Sequence, residues 1–296
     1  MEASEKNRDT YVVIPVRNRR PFTQACLTSL SGQSLRHTVV VVDDGSEDGT
    51  PEMVRGEFPD AVLLLGDGSL WWTGATNRAV GWVLAHCQPD DLVVTLNDDT
   101  LLPPDYLMML RRPVEADRRL LLGSVTVSEA DGDTIVDGGV HIDWWRAKFT
   151  AQHRGDSLCG AFPHGGLHDV DVLSGCGTLV PVRAFRELGP YDQRRLPHYA
   201  ADYEFSRRAA RAGYRIAINA DAVLRLRERS TGIHADVAQG GLDVFVRSFV
   251  SRRSATNLSA RVNFARLAAP RSAFVPYLVC DLGRVMLGSV MRALRR

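Results

Sequence analysis

The chain has 296 residues, 45% of them hydrophobic, and a formal net charge of +1, so it can bury one core of about 200–250 residues together with an appendage. Its five cysteines are widely spaced and contain no C-x-x-C pattern, so neither a disulfide framework nor a zinc site is indicated. The first ten residues lack the apolar core of a signal peptide, and no later segment reaches the roughly 18 apolar residues of a spanning helix, so we expect a cytoplasmic protein.

The first hundred residues alternate between predicted strands and helices. Strands are expected over residues 11–16, 39–42, 62–65 and 92–96. The second of these is four consecutive valines, a pattern typical of a strand buried on both faces of a parallel sheet. Three helices are expected between the strands, beginning at Pro21, Thr50 and Gly74. This alternation predicts right-handed crossovers and an α/β fold with a mostly parallel sheet.

Beyond residue 104 the alternation becomes less regular. Further strands are expected over residues 121–127, 134–142, 170–180 and 215–218. A helix is expected over 201–212, because Gly213 is the residue type that commonly follows a helix C-terminus. From about residue 240 the sequence becomes helical, and we place the body of the protein at 1–235 and a basic, amphipathic C-terminal extension at 236–296.

The C-terminal extension is strongly basic. Residues 247–296 contain ten arginines and one acid, Asp281, a charge of +9 that leaves −8 for the rest of the chain. Apolar side chains stand among these arginines: Phe274, Val275, Leu278, Leu282, Val285 and Val290. The pattern fits a helix lying on an anionic membrane surface at the inner face of the cell membrane. It fits equally a basic helix packed on the body of the protein or on the second subunit of a homodimer. Regularly interleaved aromatic residues are missing, so no nucleic-acid partner is expected.

Polar residues follow the predicted strands at the edge where parallel sheets bind ligands. Asp43 and Asp44 come directly after the second strand, and Asn97, Asp98 and Asp99 follow the fourth. Carboxylates that converge at two strand ends repel one another unless a cation lies between them. Oxygen ligands suit Mg²⁺ or Mn²⁺, which would also bridge diphosphate oxygens. The alternative interpretation is that these acids form turns and helix caps.

Four segments together resemble a known family. They read VVIPVRN, VVDDGSEDGT, LNDDTLLPPDYL and SGCGTLVPVRAFRELGPYDQRRLPHYAADYEFSRRAARAGYRI. In this order and spacing, between about residues 11 and 219, they resemble the family 2 inverting glycosyltransferases, in particular bacterial rhamnosyl- and galactofuranosyl-type transferases. The resemblance implies a GT-A fold with a Rossmann-like, mostly parallel sheet flanked by helices. It also implies transfer from a UDP- or dTDP-sugar to a glycan or lipid-linked acceptor of the cell envelope, with a divalent cation, Mg²⁺ or Mn²⁺.

The resemblance assigns donor-binding roles to residues at the strand ends. Pro15, Arg17 and Asp44 are expected to line the nucleoside pocket, with Asp44 accepting a hydrogen bond from the pyrimidine N3–H. Asp98 is expected to face the ribose or diphosphate, and Asp99 to bind the metal. The segment reads Asn-Asp-Asp where many relatives have Asp-x-Asp, which removes one carboxylate.

The third predicted helix carries further candidates. Gly74 and Asn77 are expected at its start, where free N–H groups point at an anion. Trp71 and Trp72 fit platforms that stack on a sugar or base, and fit core residues equally well.

The last segment supplies the candidate base. By resemblance Asp202 is the catalytic base, and Ala201 replaces the glutamate that usually precedes it. A helix N-terminus would lower the pKa of such an acid and weaken it as a base. Glu204 fits an acceptor-binding acid, and fits a plain helical ion pair with Arg208. His198 is expected to contact the acceptor or the diphosphate.

Many relatives place a metal-binding histidine some 20–30 residues beyond the base, and this chain has none there. His234 is a later candidate, and Arg225 or Arg227 could instead neutralise the diphosphate. The missing histidine and Ala201 leave an alternative function open, that of a nucleotide-sugar-binding protein with impaired catalysis.

Overall fold

The structure, a computed structural model, describes residues 8–227, 249 and 256–294. In chain order its strands are β1 (Thr10–Val16), β2 (Thr38–Asp43), β3 (Val62–Leu65), β4 (Leu92–Thr95), β5 (Thr100–Leu101), β6 (Leu120–Ser128), β7 (Ile135–Asp137), β8 (Val140–Asp143), β9 (Lys148–Ala151), β10 (Leu167–Asp169), β11 (Thr178–Pro181) and β12 (Arg215–Leu226). Its helices are α1 (Arg20–Ser31), α2 (Thr50–Glu57), α3 (Trp71–His86), α4 (Tyr106–Ala116), α5 (Leu158–Ala161), α6 (Val182–Leu188), α7 (Ala201–Arg211), α8 (Leu258–Ala268) and α9 (Phe274–Leu294), with a 3-10 turn over Arg271–Ala273.

One large mixed sheet forms the centre of the molecule, in the order β10-β12-β6-β11-β4-β1-β2-β3. The strands β4, β1, β2 and β3 run parallel, as do β6 and β12. The strand β11 joins the two parallel blocks and is antiparallel to both neighbours. Apolar side chains pack on both faces of the sheet, and Val40, Val41 and Val42 are fully buried. The predicted α/β fold is therefore confirmed, and four of the seven pairings along this path are parallel.

Two predicted strands were wrong in their extent. The segment 134–142 is divided into β7 and β8, because Asp137 accepts the N–H of Gly139 and closes a tight turn there. In the segment 170–180 only β11 is a strand of the sheet. The residues before it turn away from the sheet, since the N–H of Gly175 bonds to α7 and Gly177 has φ 70°. The strand β12, by contrast, runs on to Leu226.

The helices α8 and α9 pack against the body of the protein. Phe264 and Tyr277 lie in the same core as the sheet. Arg211 donates to three backbone carbonyls at the end of α8, and Arg284 donates to the carbonyls of Arg146 and Ala147. The boundary expected after residue 235 lies outside the described residues. Within the described ranges, no helix has the length and apolarity required to span a bilayer.

Candidate active site

Asp44 and Arg17 hold the turn that leads into α3. The carboxylate of Asp44 accepts the N–H groups of Gly68 at 2.9 Å, Leu70 at 3.2 Å and Trp71 at 3.1 Å. Arg17 donates to the carbonyl of Gly68 at 2.5 Å. Three backbone N–H groups therefore already donate to the Asp44 carboxylate, which the sequence analysis expected to accept a hydrogen bond from the pyrimidine N3–H. In this structure Asp44 positions the turn.

The first acid of the same pair has a free oxygen. Asp43 Oδ1 accepts the N–H of Ser46 at 2.8 Å, and Asp43 Oδ2 is buried with no hydrogen-bond partner among the described residues. Pro15 pairs with Val42 in the adjoining strand, so it lies at the same edge of the sheet. The sequence analysis placed Asp43 at this strand end but gave it no individual role.

Gly74 and Asn77 do not present free N–H groups to an anion, and that prediction was wrong. The helix α3 begins at Trp71, three residues earlier than expected, so the N–H of Gly74 donates to the carbonyl of Leu70 at 3.1 Å. The side-chain amide of Asn77 exchanges two hydrogen bonds with the backbone of Tyr191, at 2.9 and 3.0 Å. Asn77 therefore positions the segment that leads towards α7.

Asp98 and Asp99 are buried after β4, 4% and 2% exposed, with Arg19 beside them. Arg19 Nη2 lies 2.9 Å from Asp99 Oδ2, and its Nε lies 3.4 Å from Asp98 Oδ1. Burial raises the pKa of Asp98 to about 7, although the guanidinium of Arg19 opposes this rise. Sequence reasoning overlooked Arg19, which stands in the same strand-end motif as Arg17.

The residues present fit a divalent cation at Asp99. Asp99 Oδ1 is buried and has no hydrogen-bond partner in the described part of the chain. Among these residues no three His, Cys, Asp or Glu side chains form a ready-made metal cluster. Proteins commonly hold Mg²⁺ through one or two carboxylates, and water and substrate phosphates supply the other ligands. Asp99 could hold a cation in this way.

Trp72 lies between the acids that follow β4 and the segment around Gly175 that contacts Asp202. Its Nε1 donates to Asn97 Oδ1 at 3.1 Å, so Asn97, which stands where relatives have an acid, holds a tryptophan. The ring packs edge-on against Tyr191 at 5.6 Å. It also lies so close to Gly175 that a Cβ there would be 2.1 Å from the ring. Trp72 is therefore a packed, positioning residue in this structure.

Asp202 stands in the first turn of α7 and lines a cavity. Its Oδ2 accepts the N–H of Gly175 at 2.7 Å, and its Oδ1 accepts the N–H of Tyr203 at 2.9 Å. Burial raises the pKa of Asp202 to about 6, although both hydrogen bonds oppose the rise. The alternative expectation, that the helix N-terminus lowers the pKa of Asp202, is wrong. Desolvation of the carboxyl has the larger effect and raises this pKa.

Glu204 points away from this cavity. Both of its carboxylate oxygens pair with Arg208, at 3.0 and 2.9 Å, and Arg208 also donates to the carbonyls of Leu188 and Pro190. Glu204 is 4% exposed and is not among the residues that line the cavity. The geometry therefore matches the helical ion pair and not an acceptor contact.

The cavity beside Asp202 has a volume of about 780 Å³. It lies between the segment 193–200, the start of α7, Phe149 of β9, and the helices α8 and α9. His198 lines it, and its ring lies 5.5 Å from that of Trp71. Its expected contact with the acceptor or the diphosphate stays a prediction. The sequence did not predict that the C-terminal helices would form a wall of the site.

The end of β12 lies beside the acid pair. The N–H of Arg227 donates to the carbonyl of Asp99 at 2.9 Å, while its side chain pairs with Glu129 at 3.0 Å. Arg225 lies next to Gly132 instead. His234 falls outside the described residues. Of the two described candidates, Arg227 is the one whose backbone contacts Asp99.

Comparison with known proteins gives two family matches. The model of glycosyl transferase family 2 matches residues 11–168, and that of glycosyl transferase family group 2 matches residues 92–293. A Mycobacterium tuberculosis protein, N-acetylglucosaminyl-diphospho-decaprenol L-rhamnosyltransferase, is 28% identical over 239 residues, which cover 72% of this chain and 74% of that protein. Glycosyltransferase AglE of Haloferax volcanii is 24% identical over 218 residues, which cover 72% of this chain and 64% of AglE.

Solved structures share the fold. GalNAc-T7 with UDP, GalNAc and Mn²⁺ matches at 13% identity with a TM-score of 0.65, over 92% of this chain and 50% of its own. The mannosyltransferase PcManGT from Pyrobaculum calidifontis, in complex with GDP-Man and Mn²⁺, matches at 19% identity with a TM-score of 0.56, over 96% of this chain and 72% of its own. This chain thus spans half of the GalNAc-T7 chain, and the predicted GT-A fold is confirmed. Since the family 2 model matches more than half of its residues, the chain belongs to glycosyl transferase family 2.

Proposed function

We propose that this glycosyltransferase moves a sugar from a nucleoside diphosphate to an acceptor hydroxyl with inversion, and that Asp202 is the general base. The observation that carries the proposal is the position of Asp202 on the cavity wall, with its pKa raised to about 6. A carboxylate with this pKa is mostly ionised at neutral pH, yet it accepts a proton more readily than an exposed aspartate does.

The chemistry needs one displacement. The acceptor oxygen attacks the anomeric carbon opposite the diphosphate, the bond from that carbon to the diphosphate oxygen breaks, and the diphosphate leaves with the electron pair. Asp202 takes the proton of the attacking hydroxyl. The N–H groups of Gly175 and Tyr203 hold the carboxylate in one orientation, and Trp72 packs against Gly175.

On the donor side, Pro15, Arg17 and Asp98 lie at the strand ends and support a nucleotide-sugar site there. The unpartnered Oδ1 of Asp99 supports a divalent cation, Mg²⁺ or Mn²⁺. When bound, such a cation would stabilise the negative charge of the departing diphosphate.

The relatives suggest the substrates. The M. tuberculosis relative is named as a rhamnosyltransferase for a diphospho-decaprenol acceptor, and two solved structures contain UDP and GDP-Man. We assign to this chain a UDP- or dTDP-sugar carrying a hexose or deoxyhexose. Its acceptor is a hydroxyl on a glycan or lipid-linked saccharide of the cell envelope.

The outer face of α9 supports a peripheral membrane location. Its apolar side chains Val275, Val279, Met286 and Leu287 are 64%, 66%, 61% and 65% exposed. The surrounding region, residues 247–296, carries a charge of +9. Exposed apolar side chains within a basic region fit an anionic lipid surface at the inner face of the membrane.

The test is a panel of UDP-, dTDP- and GDP-sugars, each with Mg²⁺ or Mn²⁺, in which released nucleotide is measured. Release of nucleotide from at least one donor, lost in Asp202→Asn, is the expected result. Donor binding without release from any donor would favour the alternative, a nucleotide-sugar-binding protein that does not catalyse transfer.

A further inference from the structure

The cavity beside Asp202 is large enough to take a sugar together with its linkage. Its volume of about 780 Å³ lies within the usual range of ligand sites, about 300–1,000 Å³. Asp202 lines it together with Tyr203, while Phe264 and Tyr277 come from α8 and α9. A ligand that fills this cavity would therefore reach the proposed base.

Among the residues that the structure describes, the charged side chains on the cavity wall are mostly positive. Three arginines of this part of the chain line it, Arg194, Arg195 and Arg261, against one acid, Asp202. Arg194 is exposed and makes no ion pair within the described residues. Arg195 pairs with Asp192 at 3.4 Å on the surface, where such pairs are weak. The wall thus keeps positive charge that is available to an anionic ligand.

The third arginine has a structural partner. Arg261 Nη1 lies 2.6 Å from Asp281 Oδ1, and Asp281 is only 3% exposed. Removing Arg261 would leave a buried carboxylate without its counter-charge, which is strongly destabilising. Experiments on the charge of the cavity should therefore alter Arg194 and Arg195 and leave Arg261 in place.

Aromatic rings form the facing part of the wall. The ring of Phe149 stacks on Tyr203 at 6.0 Å with an interplanar angle of 20°, and it lies 5.9 Å from Phe264. Phe264 in turn lies 6.2 Å from Tyr277. A continuous aromatic surface with a few polar groups suits the apolar face of a sugar ring, while guanidinium groups suit phosphate oxygens.

We propose that the cavity binds an acceptor whose phosphate group lies next to the sugar that is glycosylated. Arg194 and Arg195, with Arg261, bind the phosphate or diphosphate. The aromatic wall holds the sugar, and the hydroxyl of that sugar reaches Asp202. This assignment rests on the proposed function, because Asp202 identifies the cavity as the acceptor side.

The test compares two probes that differ only in the phosphate. One is N-acetylglucosamine joined through a diphosphate to a short alkyl chain, and the other is the same sugar joined directly to that chain. Calorimetry uses the full chain saturated with UDP and Mg²⁺, so that the donor site is filled. We expect the diphosphate probe to bind at least about tenfold more tightly, since hydrogen bonds between charged groups are strong. Salt should reduce the difference.

The matched variants are Arg194→Gln combined with Arg195→Gln, and Arg36→Gln as a control. Arg36 is exposed and precedes β2, at the edge of the sheet opposite the strand ends. The double variant should lose most of the preference for the diphosphate probe, and the control should keep it. N-acetylglucosamine 1-phosphate is a third probe. If the double substitution weakens the binding of this probe as much as that of the diphosphate probe, the phosphate site is supported and requires no lipid chain.

Two results would overturn the proposal: equal affinity of the wild type for both main probes, or an undiminished preference in the double variant. Loss of UDP affinity in that variant would place the arginines in the donor site and would also overturn it. Donor hydrolysis is measured in parallel for the wild type and for Arg36→Gln, and it should be equal in these two proteins. If the wild type hydrolyses no donor but prefers the diphosphate probe, the proposed function fails while the phosphate site stands.

Discussion

Arg19 Nη2 lies 2.9 Å from Asp99 Oδ2, so the acid that fits a metal ligand already has a cationic partner within the protein. The same guanidinium lies 3.4 Å from Asp98. A divalent cation at Asp99 therefore competes with Arg19 for the carboxylate. We expect a cation alone to bind weakly, and to bind more tightly when a nucleoside diphosphate supplies further oxygen ligands.

The first prediction tests the metal assignment at Asp99. Calorimetry with UDP or dTDP in the presence of Mg²⁺ should show affinity reduced on the order of tenfold or more in Asp99→Asn, since the cation that joins the diphosphate to the protein would lose its carboxylate ligand. EDTA should have the same effect on the wild type. Asp60→Asn is the control, because Asp60 is exposed on the surface. Equal affinity under all of these conditions would disprove the assignment.

The second prediction separates chemistry from binding at Asp202. Asp202→Asn keeps the size of the side chain but cannot take a proton, so transfer should fall by about 100-fold or more while donor affinity stays nearly unchanged. Glu204→Gln is the matched control, since it breaks the pair with Arg208 away from the cavity. It should lower the melting temperature and retain transfer. An active Asp202→Asn beside an inactive Glu204→Gln would move the base to Glu204.

The third prediction concerns pH. Because the pKa of Asp202 is raised to about 6, kcat/KM should rise with pH and reach half its plateau near pH 6. This rise of kcat/KM with pH should be absent from the residual activity of Asp202→Asn and present in Glu204→Gln. A folded-state pKa above the ordinary value favours folding at low pH, and this contribution is lost as pH rises through about 6. The stability of Asp202→Asn relative to the wild type should therefore increase between about pH 4 and about pH 6 and stay constant above that pH.

The fourth prediction concerns the contact between Gly175 and Trp72. Gly175→Ala would place its Cβ 2.1 Å from the Trp72 ring, so the backbone must shift and carry its N–H away from Asp202. We expect a loss of about 1–3 kcal/mol in unfolding free energy, the usual cost of overpacking, together with a loss of transfer. Gly81→Ala is the control, because nothing lies near a Cβ there and alanine favours the helix. A Gly175→Ala variant as stable and active as the wild type would show that the contact is unimportant.

The fifth prediction concerns the outer face of α9. Val275→Ser with Val279→Ser changes only exposed side chains, so the protein should stay folded but sediment less with anionic liposomes at low salt. Met108→Ser alters an exposed apolar residue on α4 and is the control. If the wild type ignores anionic liposomes at low salt, the membrane location is wrong. Removing α8 and α9 is a poorer test, because Phe264 and Tyr277 belong to the core and the chain should unfold.

The sequence by itself determined the parallel strands and the residues at their ends. The valine run of β2 and the helix over α7 could be read locally, because burial and helix periodicity repeat over a few residues. The motifs that resemble the family also predicted Asp98, Asp99 and Asp202 as candidate site residues.

Only the tertiary structure decided what those side chains contact. Asp44 bonds to a turn 24 residues or more away, and Asn77 to a segment 114 residues away. Arg19 meets Asp99 across 80 residues. Such pairs leave no local pattern, because hydrogen-bond geometry depends on how elements pack and not on neighbours in sequence. For the same reason the cavity beside Asp202, whose walls join Asp202 to Arg261 and Tyr277 of the basic C-terminal helices, appeared only once the chain was folded.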